Sequence, residues 1–329
     1  MRDDLSADSL TIPGTTVPLT RVVLGTMNMG DTADAAASEQ LFEAAVDAGI
    51  TGIDCANGYA RGATESLIAP WVKRYRDRIV LATKAGMPHA DAGTDSPLSS
   101  RGLRASVEGS LRRLDVDRID LFYLHQPDRL TPIRETMQTV AQLHEEGKIG
   151  AYGVSNFAAW QALEVVGLAD EMGIPRPSVG QNIYNLIARR VEDEWIEFAS
   201  TYDIATMCYN PLAGGMIARS PLAGAAPARF EGSALAEMYK KRYWTDELIA
   251  ATTAFVRLAD ESGLPMYELA LRWLIGRPGV AAVLIGANRE SQLRDNIAAL
   301  TKGPLTSDLV EACDAISSPL KGTMPAYNR

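Results

Sequence analysis

Residues 118–157 read RIDLFYLHQPDRLTPIRETMQTVAQLHEEGKIGAYGVSNF. Two apolar runs, at 118–126 and 149–157, flank a stretch at 132–147 whose apolar residues recur with helical spacing. The apolar runs are nearly continuous, as is typical of parallel strands buried on both faces. A helix that connects two parallel strands forms a β-α-β unit, so this stretch predicts one such unit.

The same alternation of strands and helices extends along the chain without a break in composition. Eight units at roughly 30-residue spacing favour an α/β fold of the (β/α)8 TIM-barrel type, formed as a single domain by residues 1–329. A doubly wound open sheet is the alternative, but no GxGxxG motif follows the first predicted strand. The predicted strands cover 21–27, 51–56, 78–86, 118–126, 149–157, 177–185, the start of 204–215, and 280–288. The predicted helices cover 36–49, 63–75, 100–114, 132–147, 158–173, 191–202, 245–262, 265–276 and a last segment that ends near 300.

Two segments fall outside this alternation. Residues 9–19 (SLTIPGTTVPL) carry a Pro-Gly turn, which predicts a β-hairpin. Because this N-terminal hairpin precedes the first strand, we expect it to plug the bottom of the barrel. Residues 216–244 follow the seventh strand without a regular pattern and predict a long irregular loop.

The composition narrows the class of protein. A net charge of −9 argues against nucleic-acid binding, because phosphates need a basic face. No apolar run is long enough to span a membrane, and the acidic start at 1–10 lacks the pattern of a secretory signal. Cys55, Cys208 and Cys313 are widely spaced, which predicts reduced thiols in a cytoplasmic protein.

Ionisable side chains stand at or just after the ends of three consecutive predicted strands. Asp54 ends the second strand, Tyr59 follows on the next loop, Lys84 ends the third strand and His125 ends the fourth. Each has a structural explanation when taken singly: an ion pair, a capped loop aromatic, or a core histidine. Burying several such groups together at the mouth of a barrel costs on the order of several kcal/mol. A functional role therefore explains this cluster of four ionisable residues better than packing does.

These residue types suit proton donation to a carbonyl group. A tyrosine hydroxyl has a pKa near ~10, and a nearby ammonium such as that of Lys84 is expected to lower that pKa. Asp54 can hold Lys84 in place, and a neutral His125 can orient the carbonyl oxygen. General acid catalysis of this kind is typically worth ~10²–10⁴-fold. The reaction also needs a hydride donor.

The later strand ends offer groups that can bind such a donor. Ser155, Asn156 and Gln181 can hydrogen-bond a carboxamide, and Tyr209 can stack under a nicotinamide ring. Glycines after the seventh strand allow a pyrophosphate to approach the backbone. The chain offers no spacing typical of metal ligands, since its three histidines include no HxH pair. A metal-dependent barrel hydrolase is thus a weak alternative, and no metal is predicted.

At this point the chain resembles the aldo-keto reductase family. The motifs that carry the resemblance span most of the sequence in the family's order. They are GIDCANGY (52–59), LATKAG (81–86), LFYLHQPD (121–128), GKIGAYGVSNF (147–157), YNPLAGG (209–215) and IGANRESQLRDN (285–296). The resemblance implies that the catalytic tetrad is Asp54, Tyr59, Lys84 and His125, with His125 also contacting the substrate.

A closer resemblance is to the aflatoxin aldehyde reductase branch, carried by LGTMNMG (24–30), RRVEDEW (189–195), ARFEGSALAEMYKKRYW (228–244) and PAYNR (325–329). This resemblance implies an active-site and cofactor loop at 217–244 and a C-terminal tail at 317–329 near the substrate. It implies that Tyr239, Arg242 and Arg329 contact the substrate, which is an aldehyde or dicarbonyl, in several cases with a carboxylate. It also implies a homodimer.

The resemblance further implies NADPH as the cofactor, with Arg229 at the adenosine 2′-phosphate. The sequence departs from the branch at Asn288 and Arg289, where two serines are frequent, and at Asn210, where many members have serine. The expected cofactor-binding residues are Met27, Asp54, Ser155, Asn156, Gln181, Tyr209, Asn210, Pro211, Leu212, Gly214, Arg229, Asn288, Arg289, Gln292 and Asn296.

The fold alone leaves a second function open, because one fold hosts several functions. Some proteins with the aldo-keto reductase fold are channel-associated subunits that bind the cofactor and sense redox state. Multiple turnover of an aldehyde distinguishes the two hypotheses.

Overall fold

The structure, a computed structural model, describes Leu5 and residues 9–218 and 228–322. Eight parallel strands pair in chain order and close into a barrel, with β8 hydrogen-bonded back to β1. The predicted (β/α)8 TIM barrel is therefore confirmed. The strands are β1 (Val22–Gly25), β2 (Gly52–Asp54), β3 (Val80–Ala85), β4 (Ile119–Leu124), β5 (Ile149–Ser155), β6 (Val179–Ile183), β7 (Ala205–Tyr209) and β8 (Val280–Ile285).

Helices connect the strands and cover the outside of the barrel. Their apolar faces pack on strands that are buried on both sides, which is why the strand segments are so uniformly apolar. The helices in the described part of the chain are α1 (Ala35–Asp47), α2 (Ala63–Tyr75), α3 (Ser100–Leu114), α4 (Ile133–Glu145), α5 (Ala159–Met172), α6 (Trp195–Thr201), α7 (Ala228–Glu231), α8 (Ala236–Tyr243), α9 (Asp246–Glu261), α10 (Met266–Ile275), α11 (Glu290–Thr301) and α12 (Ser307–Ser317).

The N-terminal hairpin closes one end of the barrel, as predicted. Leu10 and Leu19 exchange backbone hydrogen bonds of 2.7 and 2.8 Å. Ile12 and Leu19 belong to the same buried cluster as Val80 and Val179, the first residues of β3 and β6. The hairpin therefore packs at the amino-terminal ends of the strands and leaves the carboxyl ends free for the site.

The hairpin also explains a glycine in β2. A side chain at Gly52 would place its Cβ 2.5 Å from Leu19 Cδ1. Glycine at this position therefore lets the barrel and the plug approach each other closely.

Two predictions of local structure were wrong in part, and one helix was missed. The segment after β7 is not irregular throughout, because it contains α7 and α8. The predicted helix at 191–202 begins only at Trp195, after a short 3-10 turn. Helix α12 was not predicted. It follows the eighth strand–helix unit, so the strand–helix repeat carried no signal for it.

None of the described helices combines the length and the apolar character needed to cross a membrane. Residues 219–227 of the predicted cofactor loop and the tail at 323–329 lie outside the described residues. That residues 1–329 form a single domain stays a prediction.

Candidate active site

The four residues predicted as a tetrad meet at the carboxyl ends of β2, β3 and β4. Parallel pairing sets Asp54 opposite Ala82 and Lys84 opposite Tyr123, which brings neighbouring strand ends to one mouth. The Lys84 ammonium is fully buried and contacts the Asp54 carboxylate through Oδ1. It also donates to the backbone oxygen of Cys55 at 2.7 Å and to the Tyr59 hydroxyl at 3.2 Å.

This arrangement fixes the direction of the Tyr59 hydroxyl proton. An ammonium has three hydrogens, and Lys84 directs them to Asp54, Cys55 and Tyr59. The Tyr59 oxygen therefore accepts a hydrogen bond from below and keeps its own hydrogen for a partner in the cavity, which Tyr59 lines. That geometry is suited to proton donation.

The pKa of Tyr59 differs from the sequence prediction. Burial raises this pKa, and although Lys84 lowers it, the balance leaves the pKa at about 12. The predicted effect of the ammonium is present, since Lys84 lowers this pKa, but the cost of desolvating a phenolate exceeds it and Asp54 offsets part of the Lys84 charge. Tyr59 is therefore a protonated hydroxyl at neutral pH.

His125 stands beside Tyr59, with ring centroids 6.1 Å apart and a T-shaped arrangement. Burial and the nearby Lys84 ammonium lower the pKa of His125 to about 3. The imidazole is thus neutral at physiological pH, as predicted. A neutral ring can offer an N–H to a carbonyl oxygen without adding a second cation next to Lys84.

A cavity of about 1060 Å³ opens at this end of the barrel. Tyr59 and His125 lie in its wall, while Asp54 and Lys84 lie behind them. Asp54 thus does not line the cavity itself, and it is linked to the cavity wall by its contacts with Lys84 and Gln181. The wall contains the other predicted cofactor residues: Met27, Ser155, Asn156, Gln181, Tyr209, Asn210, Pro211, Leu212, Gly214, Arg229, Asn288, Arg289, Gln292 and Asn296.

At the end of the cavity near the tetrad, amide and hydroxyl groups form two sets of hydrogen bonds, one around Asn156 and one around Gln181. Asn156 has a left-handed backbone, with φ of 60°, and its Nδ2 donates to the backbone oxygen of His125 at 2.9 Å. The Tyr209 hydroxyl donates to Asn156 Oδ1 at 2.6 Å. Gln181 donates from Nε2 to Asp54 Oδ2 at 2.8 Å. Donors and acceptors of this kind fit a carboxamide.

The turn after β7 is shaped by a glycine and an asparagine. Asn210 and Gly214 both have positive φ, and Asn210 Oδ1 accepts a hydrogen bond from the Gly214 N–H at 3.1 Å. A Cβ at Gly214 would lie 2.5 Å from the Tyr239 ring. The absence of a side chain here lets the turn approach α8 and keeps backbone exposed to the cavity, as a pyrophosphate cradle requires.

The far end of the cavity joins the loop after β1 to the start of α11. Asn288 Oδ1 accepts hydrogen bonds from Asn28 Nδ2 at 2.7 Å and from the Thr32 hydroxyl at 2.8 Å. Gln292 Oε1 accepts from the Asn288 N–H at 3.1 Å. Asn288 therefore holds these two loops together, whereas the side chain of Arg289 is exposed at the cavity.

Arg229 makes a contact that the sequence did not predict. Its Nη1 lies 2.9 Å from Asp31 Oδ2, and Ser233 Oγ donates to the same carboxylate oxygen at 2.7 Å. The guanidinium also lies over the Tyr239 ring. Asp31 thus ties the β1 loop to the segment after β7. It is 198 residues from Arg229 in the chain, and no local pattern marked it.

Two of the predicted substrate residues in the loop after β7 line the cavity, and the one in the C-terminal tail is not described. Tyr239 is buried and, like the exposed Arg242, lines the cavity. Arg242 lies close enough to Tyr209 to lower the pKa of its hydroxyl, although burial has the larger, opposite effect. Arg329 lies outside the described residues. Met87 and Met238, both partly exposed, line the cavity as well; the sequence did not reveal them because a single methionine outside the predicted strands and helices carries no signal.

Comparison with known proteins agrees with this geometry. The model of the Aldo/keto reductase family matches residues 21–318, and the chain belongs to that family. It is 34% identical to Aflatoxin B1 aldehyde reductase member 2 of Rattus norvegicus, over 93% of this chain and 87% of the relative. It is 36% identical to Aldo-keto reductase family 7 member A3 of Homo sapiens, over 93% of this chain and 96% of the relative.

A third relative is named for a different role. Probable voltage-gated potassium channel subunit beta of Arabidopsis thaliana is 30% identical, over 86% of this chain and 88% of the relative. The resemblance seen in the sequence motifs is confirmed. Family membership supports an oxidoreductase that reduces aldehydes, acts on small molecules and uses a nicotinamide cofactor.

Proposed function

We propose that the protein reduces aldehydes and dicarbonyls to alcohols with NADPH, and that Tyr59 donates the proton. One observation carries this proposal. The buried Lys84 directs one hydrogen at the Tyr59 hydroxyl and the others at Asp54 and Cys55, so the Tyr59 proton points to the cavity. A hydroxyl held in this way can act as a general acid and donate its proton to a carbonyl oxygen in the cavity.

The tetrad residues divide the work on the carbonyl group. The neutral His125 offers a hydrogen bond to the carbonyl oxygen and orients it toward Tyr59. As the carbonyl carbon gains a hydride, its oxygen gains negative charge and takes the Tyr59 proton. The Tyr59 O–H bond breaks, an alcohol O–H bond forms, and the Lys84 ammonium stabilises the resulting phenolate. Solvent then returns a proton to Tyr59.

The cofactor residues are assigned to parts of NADPH by the groups they offer. Ser155, Asn156 and Gln181 suit the carboxamide and Tyr209 suits the ring face. The backbone from Asn210 to Gly214 suits the pyrophosphate. The reduced nicotinamide supplies the hydride when it is bound. Met27, Pro211, Leu212, Gln292 and Asn296 complete the wall of the same cavity.

Preference for NADPH over NADH depends on cations at the far end of the cavity. Arg229 and Arg289 line that end and are the candidate ligands of the 2′-phosphate. Asp31 offsets part of the charge of Arg229, which makes Arg289 the more available cation. Dissociation constants for NADPH and NADH, measured in wild type and in Arg289→Ala, test this assignment. A ratio of the two constants that Arg289→Ala leaves unchanged excludes Arg289.

Arg242 supports a substrate that carries a carboxylate. Its guanidinium lies at the cavity wall beside Tyr209, and we propose Arg329 as its companion. A panel of aldehydes with and without a carboxylate, assayed with Arg242→Ala and Arg329→Ala, tests both residues. Equal loss on both kinds of aldehyde would reject the anion-binding role.

The proton-donor role has its own test. Tyr59→Phe removes one oxygen and keeps the ring, so we expect the reduction of 2-carboxybenzaldehyde to fall ~10²–10⁴-fold. The dissociation constant of NADPH should not change, because the ring still fills the same space. Turnover near that of wild type would reject Tyr59 as the acid.

The three cysteines are free and buried, which supports a cytoplasmic location. Homodimer formation rests on the resemblance to the aflatoxin aldehyde reductase branch, and sedimentation velocity tests it.

A cofactor-binding, redox-sensing regulatory subunit is the second candidate. The relative named as a channel subunit favours it. Such a subunit would bind the cofactor and sense redox state without sustained turnover of an aldehyde. Sustained multiple turnover of any aldehyde in the panel would exclude a purely sensory role.

A further inference from the structure

Gln181 lies between the cavity and the buried carboxylate of Asp54. It is in β6, it is only 2% exposed, and it contributes to the cavity wall. We propose that Gln181 is a positioning residue that couples the carboxamide subsite to the proton donor Tyr59 through Asp54. This inference rests on the function proposed above and goes beyond it, because it assigns Gln181 a role in proton transfer.

The hydrogen bonds fix the orientation of the Gln181 amide. Nε2 donates to Asp54 Oδ2 at 2.8 Å and lies 3.4 Å from Met207 Sδ. The opposite orientation would set the amide carbonyl against a carboxylate oxygen, which has no hydrogen to donate. With both Nε2 hydrogens directed into the barrel, Oε1 is the atom of this amide that a donor in the cavity can engage. A carboxamide NH2 group is such a donor.

The contacts then continue to the proton donor. Asp54 uses Oδ2 for Gln181 and Oδ1 for Lys84, and it is 1% exposed. Lys84 donates to the Tyr59 hydroxyl. The chain of contacts therefore begins at the cavity with Gln181 and returns to the cavity with Tyr59. Because hydrogen bonds in a series polarise one another, a donor at Oε1 strengthens the bond from Nε2 to Asp54.

The consequence for Tyr59 has a definite direction. A stronger bond from Gln181 draws electron density from the Asp54 carboxylate, which then compensates less of the Lys84 charge. The less compensated ammonium stabilises a phenolate better. Occupation of the carboxamide subsite therefore makes Tyr59 a stronger acid. The proton donor is activated when the cofactor is in place.

Other titratable groups surround the amide and must be considered in any test that varies pH. The hydroxyl of Tyr123 lies 3.7 Å from Met207 Sδ, the sulfur that Gln181 Nε2 also contacts. Burial raises the pKa of Tyr123 well above its usual value, so it stays neutral. His125 stays neutral above about pH 3 because burial and Lys84 lower its pKa to about 3. Neither group changes charge in the working range of pH.

Gln181→Glu separates the two roles of this side chain, which are to accept a hydrogen bond from the carboxamide and to donate one to Asp54. The variant keeps an acceptor for the carboxamide, but it places a second carboxylate against Asp54. Two adjacent carboxylates retain one shared proton, and the shared proton restores a donor to Asp54 at low pH only. We expect the single-turnover rate of aldehyde reduction to fall about tenfold as the shared proton is lost with rising pH. The dissociation constant of NADPH should change much less.

Ser155→Ala is the matched control. Ser155 lines the same subsite and hydrogen-bonds Asn156, with no contact to Asp54 among the described residues. We expect weaker cofactor binding and a pH dependence like that of wild type. A pH profile for Gln181→Glu that matches the Ser155→Ala profile would overturn the coupling and leave the proposed function intact.

A second readout uses the protein without cofactor. Gln181→Glu leaves two carboxylates for one ammonium, and Asp54→Asn leaves the Lys84 charge without its partner. In the double variant the asparagine at position 54 is the donor and the glutamate at position 181 is the acceptor. One carboxylate then again faces the one ammonium of Lys84. We therefore expect each single variant to raise the unfolding equilibrium constant about tenfold or more, and the double variant to recover most of that loss. Additive effects would overturn the link between Gln181 and Asp54.

Failure of the proposed function and failure of the inference about Gln181 give different results. If wild type binds NADPH but reduces no aldehyde, the proposed function fails, and the unfolding cycle alone decides the Gln181–Asp54 link. If wild type reduces aldehydes and the cycle shows no coupling, only the inference about Gln181 fails.

Discussion

Replacing Lys84 with methionine should damage both stability and catalysis, for different reasons. Lys84 and Asp54 are 0% and 1% exposed, so the substitution leaves an uncompensated carboxylate inside the barrel. Removing one partner of a buried pair typically costs ~3–5 kcal/mol. That is a large share of the ~5–15 kcal/mol that separates folded from unfolded proteins. Chemical denaturation measures the loss, and single-turnover reduction should fall ~10²–10⁴-fold.

A double variant distinguishes the two effects. Lys84→Met combined with Asp54→Leu replaces the pair by apolar side chains, which is often neutral or stabilising by ~1–4 kcal/mol. Gln181 loses its acceptor, which costs ~1–3 kcal/mol. Most of the stability should therefore return, while activity should not. Recovery of activity in the double variant would refute the tetrad assignment, and an unchanged denaturation midpoint in Lys84→Met would refute the burial argument.

An exposed pair provides the control. Lys73 and Asp115 lie 3.1 Å apart, with side chains 75% and 70% exposed. Water screens such a pair, so Lys73→Met should leave both stability and activity nearly unchanged. The contrast with Lys84→Met isolates the effect of burial.

The remaining predictions concern pH and backbone geometry. Because burial raises the pKa of Tyr59 to about 12 and lowers that of His125 to about 3, the single-turnover rate should not fall between pH 5 and pH 9; a loss of rate with an apparent pKa in that window would contradict these assignments. Burial would raise the pKa of Glu192, but hydrogen bonds from two cationic side chains and a tyrosine outweigh it and hold the pKa at about 2. The ionised Glu192 therefore contributes its full stability to the fold above pH 4.5, the pKa of an unperturbed glutamate, and this contribution is lost as the pH falls through about 2. Glu192→Gln should thus lower the free energy of unfolding at pH 7 and lower it much less at pH 2. Chemical denaturation at these two pH values measures the difference. Gly214→Ala should cost ~1–3 kcal/mol and weaken NADPH binding, because its Cβ would meet Tyr239 at positive φ; an unchanged dissociation constant and midpoint would contradict the fit described for this turn.

The sequence predicted those parts of the site that local pattern places. Asp54 and Lys84 end buried strands, and the carboxyl ends of neighbouring parallel strands must meet at one mouth. His125 comes directly after β4 and Tyr59 follows β2 by five residues, so their position was also fixed within narrow limits. The same reasoning placed Ser155 and Gln181, whose strands pair directly.

Contacts between distant segments could not be predicted in this way. Asp31 and Arg229 are 198 residues apart, and Asp54 and Gln181 are 127 apart. Each contact depends on side-chain orientation within a closed barrel. The helices α7 and α8 were also missed, because their short apolar faces have no repeat to reveal them.

By itself, the sequence determined the barrel, the order of its strands and the side chains at their carboxyl ends, because apolar periodicity and strand spacing are local properties. Only the tertiary structure decided how those side chains act on one another. It showed that burial outweighs Lys84 in setting the pKa of Tyr59, and that Gln181 rests on Asp54. Desolvation and hydrogen-bond direction depend on every atom around a group, and the chain order alone does not specify those atoms.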